Sequence, residues 1–269
     1  SFPLTYAEKG LLQVKLHGPG WEDRPLQAGR ALNVVPDKAT YSGQRLEELL
    51  PVIEQSGVNY TEEAGAVTVL GLSKHSKDAA EGVNAIVGLA ESLSLIQPHP
   101  ALLFIADAVG EDATGTALFG EIKDEPSGAL SFNIATLSID EQQSEIGIDI
   151  RIPVLADKEA LVKRLSEVAT NYQLQYEEFD YVAPLYVPLD SPLVSTLMAV
   201  YQEETGDQTP AMSSGGATFA RTMENCVAYG ALFPGAEQTE HQANERAKLE
   251  DLYRALEIYA ETIRRLATT

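Results

Sequence analysis

The sequence predicts an α+β fold in which antiparallel sheets carry helices on one face. Apolar residues recur at every second position in several short segments, and at helical spacing in the segments between them. Over the middle of the chain the resulting order is strand–helix–strand–helix, followed by strand–strand–helix–strand. This order is typical of α+β domains, and it predicts two ferredoxin-like lobes.

The first predicted strand covers residues 11–16. Leu12, Val14 and Leu16 lie on one face there and alternate with Gln13 and Lys15, as in a half-buried strand. Residues 18–29 are rich in glycine, proline and charge, which predicts a loop. The same periodicities predict strands over 31–35 and 67–72 and helices over 43–54, 79–95 and 101–109. The helix over 79–95 carries an apolar stripe of Val83, Ile86, Val87, Ala90 and Leu93.

The second lobe contains the clearest strand of the sequence, over residues 145–152. Its apolar face carries Ile146, Ile148, Ile150 and Ile152, and its polar face carries Glu145, Gly147, Asp149 and Arg151. We expect it to form a hairpin with residues 130–139. A helix over 158–171 and a strand over 172–182 complete this lobe.

A change in composition separates the lobes from the C-terminal third. Pro184, Pro188 and Pro192 punctuate the boundary. Beyond it we predict a helix over 193–204, an apolar strand over 226–233 and an amphipathic helix over 248–266. The predicted buried stripe of the last helix comprises Leu249, Leu252, Leu256, Tyr259, Ile263 and Leu266. The short strand is too small to cover that stripe, so we expect the helix to lack part of its packing partner.

Composition excludes two classes of partner. The formal net charge is -21, and such a surface repels nucleic-acid phosphates and anionic membranes. The single cysteine, Cys226, excludes an internal disulfide and fits a reducing compartment, and its apolar surroundings predict a buried, inert thiol. No apolar run approaches the length of a membrane span. We therefore expect a cytoplasmic location.

One candidate metal ligand lies near the end of the chain. His241 is surrounded by Glu237, Glu240 and Glu245, and histidine and carboxylate side chains are both zinc ligands. The residues around it leave open whether the carboxylates are co-ligands.

Three other places suit chemistry but also have purely structural interpretations. His75 lies in a turn before a helix, where a surface histidine is equally expected. Arg151 projects from a strand and can grip a carboxylate through two parallel hydrogen bonds, or form a surface ion pair. The Gly215–Gly216 pair permits a close backbone approach to a ligand, or simply a tight turn.

Taken together, these segments resemble the M20 zinc peptidases. The segment around His75 reads G-L-S-K-H-S-K-D-A-A-E-G-V-N-A and is similar to the family's G-x-S-A-H-x-x-x-P-x-x-G-x-N-A. The last third contains S-S-G-G-A-T-F-A-R-T-M-E-N-C-V-A-Y-G and F-P-G-A-E-Q-T-E-H-Q-A-N-E, which resemble the PepV-type dipeptidases, also called the Xaa-His dipeptidase or carnosinase-like branch. F-P-L-T-Y-A-E-K-G at the start and L-N-V-V-P-D-K-A near Asn33 fit the same branch.

The resemblance implies an α/β catalytic domain that is interrupted by a lid of two α+β lobes. Residues 11–183 would form the lid, 1–10 a remnant of the catalytic domain, and 184–269 its C-terminal segment. Two zinc ions, replaceable by cobalt or manganese, would activate a water molecule. A small dipeptide would be the substrate.

The resemblance also assigns roles to five residues. His241 corresponds to a metal ligand, His75 to the lid histidine that stabilises the oxyanion, and Arg151 to the lid arginine that holds the substrate carboxylate. Gly216 corresponds to a backbone contact with the substrate, and Asn33 to an asparagine of the substrate pocket. Under this resemblance Glu237, Glu240 and Glu245 have no metal-binding role.

This chain departs from the family pattern in two ways. Lys74 replaces the alanine before the lid histidine, and the proline after it is missing, which alters the turn that aims His75. No histidine begins an H-x-D pair, and the family's general base and other metal ligands precede the residues that match Phe2-Pro3. Since a catalytic zinc takes about three protein ligands, we expect this chain to be an inactive fragment that exposes an apolar surface and self-associates.

The predicted function is therefore part of a metal-dependent dipeptidase. One alternative is an M20 amidohydrolase that acts on N-acyl amino acids or on a desuccinylation substrate. Another is a non-enzymatic protein that uses the lid fold for binding or dimerisation. A third is a coincidence of motifs.

Overall fold

The computed structural model describes residues 1–237, 239 and 244–268. The chain divides into two compact units, each described by itself below. Unit 1 combines Ser1–Lys9 with Ala183–Thr269, and unit 2 comprises Gly10–Val182.

The strands are β1 (Thr5–Glu8), β2 (Gly10–Pro19), β3 (Leu26–Ala28), β4 (Lys38–Tyr41), β5 (Tyr60–Glu63), β6 (Ala66–Leu70), β7 (Lys123–Asp124), β8 (Gly128–Ala129), β9 (Ser131–Ile139), β10 (Gln143–Ile152), β11 (Gln175–Val182), β12 (Leu185–Tyr186) and β13 (Met212–Ser214).

Seven α-helices accompany these strands in the described part of the chain. They are α1 (Leu46–Ser56), α2 (Ala85–Ile96), α3 (Pro100–Leu103), α4 (Thr116–Phe119), α5 (Lys158–Asn171), α6 (Pro192–Thr205) and α7 (Leu249–Thr268). Two 3-10 helices, Ser76–Glu81 and Phe219–Thr222, and a π-helix, Phe104–Val109, complete the set. None of the helices in the described part of the chain is both long and apolar enough to span a membrane.

Unit 2 is built on a five-stranded sheet with the order β11-β2-β10-β9-β3. All four pairings in this sheet are antiparallel. The isoleucines of β10 are buried with Leu12, Val14 and Leu16 of β2 in one core. Buried leucines of α2 and α5 join the same core, so these helices cover the apolar face. A second antiparallel sheet of unit 2 has the order β4-β6-β5.

Unit 1 has a small mixed sheet and a pair of long helices. Its sheet has the order β12-β1-β13, in which β1 runs antiparallel to β12 and parallel to β13. Helix α6 packs against α7. The ring of Phe2 lies between them, stacked on Tyr201 at a centroid distance of 5.4 Å and tilted against Phe233 at 4.6 Å.

The α+β prediction is confirmed, and so are most of the predicted elements. The hairpin of β9 and β10 forms as expected, and α5 has the predicted bounds. Several segments differ from their predicted structure. Residues 31–35 form a turn with a single bridge at Val34 instead of a strand. Residues 18–29 contain β3. Helix α2 begins at Ala85, because Asn84 caps it by accepting from Ile86 and Val87, and this leaves Val83 outside and exposed.

Two predictions about unit 1 are wrong. Residues 226–233 form no strand; they contribute one bridge, between Thr5 and Ala228, and Cys226 is half-buried. Helix α7 buries Ala255, Ile258 and Thr262. Most of the stripe that was predicted to be buried lies beside this face and is exposed, namely Leu249, Leu252, Leu256, Ile263 and Leu266.

Candidate functional site

Arg151 lies in a buried ion pair, contrary to the interpretation as a surface pair. Its Nε donates to Oδ1 of Asp149 over 2.6 Å, and its Nη2 donates to Oδ2 over 3.1 Å. The two residues are two positions apart on β10 and therefore share a face. Arg151 is 4% exposed and Asp149 is 0% exposed. The strand supplies both members of the pair, so the sequence alone fixes their proximity.

The 3-10 helix Ser76–Glu81 covers the polar face of β10. The hydroxyl of Ser76 donates to Oδ1 of Asp149 over 2.8 Å and accepts from Nη2 of Arg151 over 3.2 Å. Ser131 on β9 donates its hydroxyl to the carbonyl oxygen of Ser76. From β2, Gln13 donates to Oδ2 of Asp149 over 3.2 Å. The ion pair is thus enclosed by polar partners from three directions.

His75 is the residue that caps this 3-10 helix. Its Nδ1 accepts the backbone N–H of Lys77 over 3.1 Å. Because this nitrogen is an acceptor, a neutral ring carries its proton on Nε2. The ring reaches solvent, yet partial desolvation lowers the pKa of His75 below its ordinary value of 6.5, and the charges of Arg151 and Lys77 lower it further. Asp149 and Asp78 oppose this shift. The site therefore favours a neutral imidazole that donates from Nε2.

Asn33 lies on the segment that pairs with the His75 turn. The N–H of Val35 donates to the carbonyl oxygen of Lys74 over 2.8 Å, and the N–H of Ser76 donates to that of Asn33 over 2.9 Å. These two bonds flank the antiparallel bridge between Val34 and His75. Buried Asn133 braces the same segment by donating to the carbonyl oxygen of Val34 over 3.0 Å. The exposed side chain of Asn33 is thus held on a fixed backbone beside His75.

Gly216 lies in unit 1, in a loop that a second buried ion pair fixes. The guanidinium of Arg221 donates from Nε to Oε2 of Glu8 over 3.0 Å and from Nη2 to the carbonyl oxygen of Gly216 over 3.1 Å. Glu8 is 0% exposed and also accepts the backbone N–H of Thr218 over 3.0 Å. The glycine loop is therefore tied to β1.

The predicted metal ligand, His241, and its neighbour Glu240 lie outside the described residues. Among residues 1–237, 239 and 244–268, no group of three or more histidine, cysteine, aspartate or glutamate side chains is placed to share a metal ion. Glu237 forms an ion pair with Arg246 at 2.6 Å. The described donor set does not by itself fit a two-zinc centre.

The structure brings three of the five predicted site residues together. Asn33, His75 and Arg151 belong to unit 2 and are connected through Ser76. Gly216 belongs to unit 1, and His241 lies outside the described residues. Sequence reasoning did not identify Asp149, Ser76, Glu8 or Arg221. The alternation of β10 could have identified Asp149, since it shares a strand face with Arg151. The other contacts cross from one part of the chain to another.

Comparison with known proteins gives a consistent result. The model of Peptidase family M20/M25/M40 matches residues 16–265. "Putative dipeptidase YtjP" of Bacillus subtilis (strain 168) is 33% identical over 290 residues, which take in 99% of this chain and 62% of that protein. "Putative dipeptidase SH1171" of Staphylococcus haemolyticus (strain JCSC1435) is 27% identical, over 97% of this chain and 61% of that protein. The chain thus spans less than two thirds of the length of these relatives.

A solved structure supports the fold. The di-peptidase Dug1p of Saccharomyces cerevisiae superimposes with a TM-score of 0.51 at 10% identity, covering 99% of this chain and 56% of that one. At this identity the likeness concerns the fold alone. The family match extends over almost the whole chain, and by that match the chain belongs to peptidase family M20/M25/M40.

Proposed function

We propose that this chain is part of a metal-dependent dipeptidase that hydrolyses the amide bond of dipeptides with a free C-terminal carboxylate. The observation that carries the proposal is the position of Ser76. It hydrogen-bonds to the side chain of Arg151 over 3.2 Å and to the backbone of Asn33 over 2.9 Å, and it directly follows His75. The three residues of unit 2 to which the family resemblance assigns substrate binding or oxyanion stabilisation therefore share one framework.

Each of these residues suits a different part of a dipeptide. The guanidinium of Arg151, whose orientation Asp149 fixes, would bind the C-terminal carboxylate through its N–H groups. The Nε2–H of a neutral His75 can donate to the amide oxygen as negative charge develops on it in the transition state. The amide of Asn33 can donate to or accept from the peptide backbone. In unit 1, the loop of Gly216 would present backbone groups to the substrate.

We propose that this chain supplies only part of the metal centre. We propose His241 as one ligand, and a metal ion would supply an activated water molecule when bound. Further ligands would come from the part of the relatives' length that this chain does not span. For that reason we propose that this chain alone is inactive. We also propose that the complete protein acts in the cytoplasm.

The test compares the chain with the complete gene product. Both would be assayed on free dipeptides, C-terminally amidated dipeptides and N-acyl amino acids, with added zinc, cobalt or manganese and with a chelator. We expect the complete gene product to hydrolyse free dipeptides far faster than amidated ones and to lose this activity with the chelator. Preference for N-acyl amino acids would replace the proposal with an amidohydrolase, and no hydrolysis of any substrate would indicate a binding protein.

A further inference from the structure

The polar face of β10 carries the ion pair of Asp149 and Arg151, which is buried and therefore costly to desolvate. Removing two ions from water has a penalty of several kcal/mol per ion unless their attraction and additional hydrogen bonds compensate for it. Asp149 and Arg151 are nevertheless 0% and 4% exposed. Replacing a buried ion pair by apolar side chains of similar volume is often neutral or stabilising, so stability alone does not account for this pair.

The hydrogen bonds of Asp149 are complete and directional. Its Oδ1 accepts from Nε of Arg151 over 2.6 Å and from the hydroxyl of Ser76 over 2.8 Å. Its Oδ2 accepts from Nη2 of Arg151 over 3.1 Å and from the amide of Gln13 over 3.2 Å. Two parallel bonds between a carboxylate and a guanidinium fix the plane of the guanidinium as well as its position. The orientation of Arg151 is therefore determined by Asp149.

Ser76 extends this control to His75. Its side chain donates to Asp149 and accepts from Arg151, while its backbone carbonyl accepts from Ser131 and its N–H donates to Asn33. The residue is 0% exposed. Since Ser76 directly follows His75, the direction in which the imidazole leaves the backbone depends on the same contacts.

We propose that Asp149 and Ser76 are positioning residues that hold Arg151 and His75 in one fixed arrangement. This rests on the proposed function in so far as Arg151 and His75 contact a dipeptide. The substrate carboxylate and the scissile amide are separated by one residue, so a clamp and an oxyanion donor must keep a constant separation. The buried carboxylate of Asp149 and hydroxyl of Ser76 keep this separation constant without contacting the substrate.

The first test uses this chain and needs no catalysis. Asp149→Asn and Ser76→Ala would be compared with the parent chain by ¹⁵N NMR of the arginine Nε–H groups and of the histidine ring nitrogens. We expect the parent Arg151 Nε–H to exchange slowly and His75 to carry its proton on Nε2. Both variants should speed the exchange of Arg151 Nε–H and change the His75 ring signals. Unchanged Arg151 and His75 signals in both variants would overturn the proposal.

Matched controls separate positioning from general loosening of the strand. Glu145→Gln alters a carboxylate on the same face of β10 that pairs with Lys15 at 3.1 Å, away from the site. Ser144→Ala removes a buried hydroxyl of β10 that has no hydrogen-bond partner within the described structure. Neither control should affect the Arg151 or His75 signals. If both controls shift these signals as much as the test variants do, the effect belongs to the strand and the proposal fails.

The second test uses the complete gene product. Ser76→Ala and Asp149→Asn should each lower kcat/KM for free dipeptides by about 10²-fold, the order of loss that a misplacement of about 1 Å causes, and Ser144→Ala should not. If the NMR signals change but no dipeptide is hydrolysed even by the parent, the proposed function fails and the positioning remains. If the parent is active and the variants retain its kcat/KM, the positioning role fails and the proposed function remains.

Discussion

The backbone N–H of Lys77 donates a hydrogen bond to Nδ1 of His75 over 3.1 Å. This contact closes the first turn of the 3-10 helix Ser76–Glu81, and it also selects one tautomer of the imidazole. The chain lacks the alanine and the proline that flank the corresponding histidine in the family pattern. Lys74 instead forms an ion pair with Glu81 at 3.1 Å, across the same 3-10 helix. The hydrogen bond from Lys77 thus fixes the orientation of the His75 ring, although the sequence of this turn differs from the family pattern.

The first prediction concerns the titration of His75. Desolvation and the charges of Arg151 and Lys77 lower its pKa below 6.5, so the ring should stay neutral at pH 7. Because the folded pKa is below the unfolded value, the folded chain binds fewer protons, and stability should fall as the pH drops below 6.5. Lys77→Met removes one repelling charge and should raise the pKa of His75 in a ¹H NMR titration. Lys123→Met, which alters a surface pair with Glu121, should leave it in place.

The second prediction concerns the buried pair on β10. Arg151→Met leaves the carboxylate of Asp149 buried without its cation, and the free energy of unfolding should fall by about 3–5 kcal/mol. The double variant Asp149→Leu with Arg151→Met removes both charges and should recover most of this loss. Urea denaturation followed by circular dichroism measures both effects. A double variant as unstable as the sum of the single variants would contradict the interpretation.

The third prediction concerns Glu8 and the glycine loop of unit 1. Glu8→Gln weakens the contacts to Arg221 and Thr218, so amide hydrogen exchange should accelerate at Thr218 and Gly216. Glu203→Gln is the matched control, since Glu203 pairs with Arg265 at the surface, where an ion pair contributes less than about 1 kcal/mol. Equal exchange rates in the parent and in Glu8→Gln would show that the pair does not hold this loop.

The fourth prediction concerns the exposed apolar side of α7. Leu249, Leu256 and Ile263 recur at intervals of seven residues and are 70%, 62% and 67% exposed, and contiguous apolar surface of this kind promotes association. We expect the chain to self-associate at micromolar concentration and to bind a hydrophobic dye. Leu256→Lys with Ile263→Lys should reduce both, as measured by light scattering and dye fluorescence. A parent chain that stays monomeric without binding dye would refute this.

The elements with the strongest alternation could be predicted from the sequence. The four isoleucines of β10 and the apolar positions of β2 fix their strands and core face, because side chains alternate across a strand. Strand β5 was missed, since its segment, Tyr60–Glu63, lacks an apolar alternation. Asn84 shows a different limit: its cap shortened a helix whose apolar spacing continued upstream to Val83.

The candidate site was predictable in its residue types and less so in its contacts. Motif resemblance selected His75, Arg151 and Asn33 as candidates, and these roles remain predictions. The prediction for α7 failed because the apolar pattern alone does not show which residues meet Phe2, Phe233 and helix α6. In the same way, nothing in the sequence around Ser76 predicts its contact with Asp149, which lies 73 residues further along the chain.

The register of the five-stranded sheet has one more consequence. Leu11, near the start of unit 2, is paired with Val182, its last residue, so the two ends of this unit emerge about 5 Å apart, the spacing of neighbouring strands. A segment whose ends meet in this way can be excised or transplanted with little distortion of the recipient chain. Gly10–Val182 therefore has the geometry of an insertable domain, which could be produced alone or exchanged as a whole between relatives.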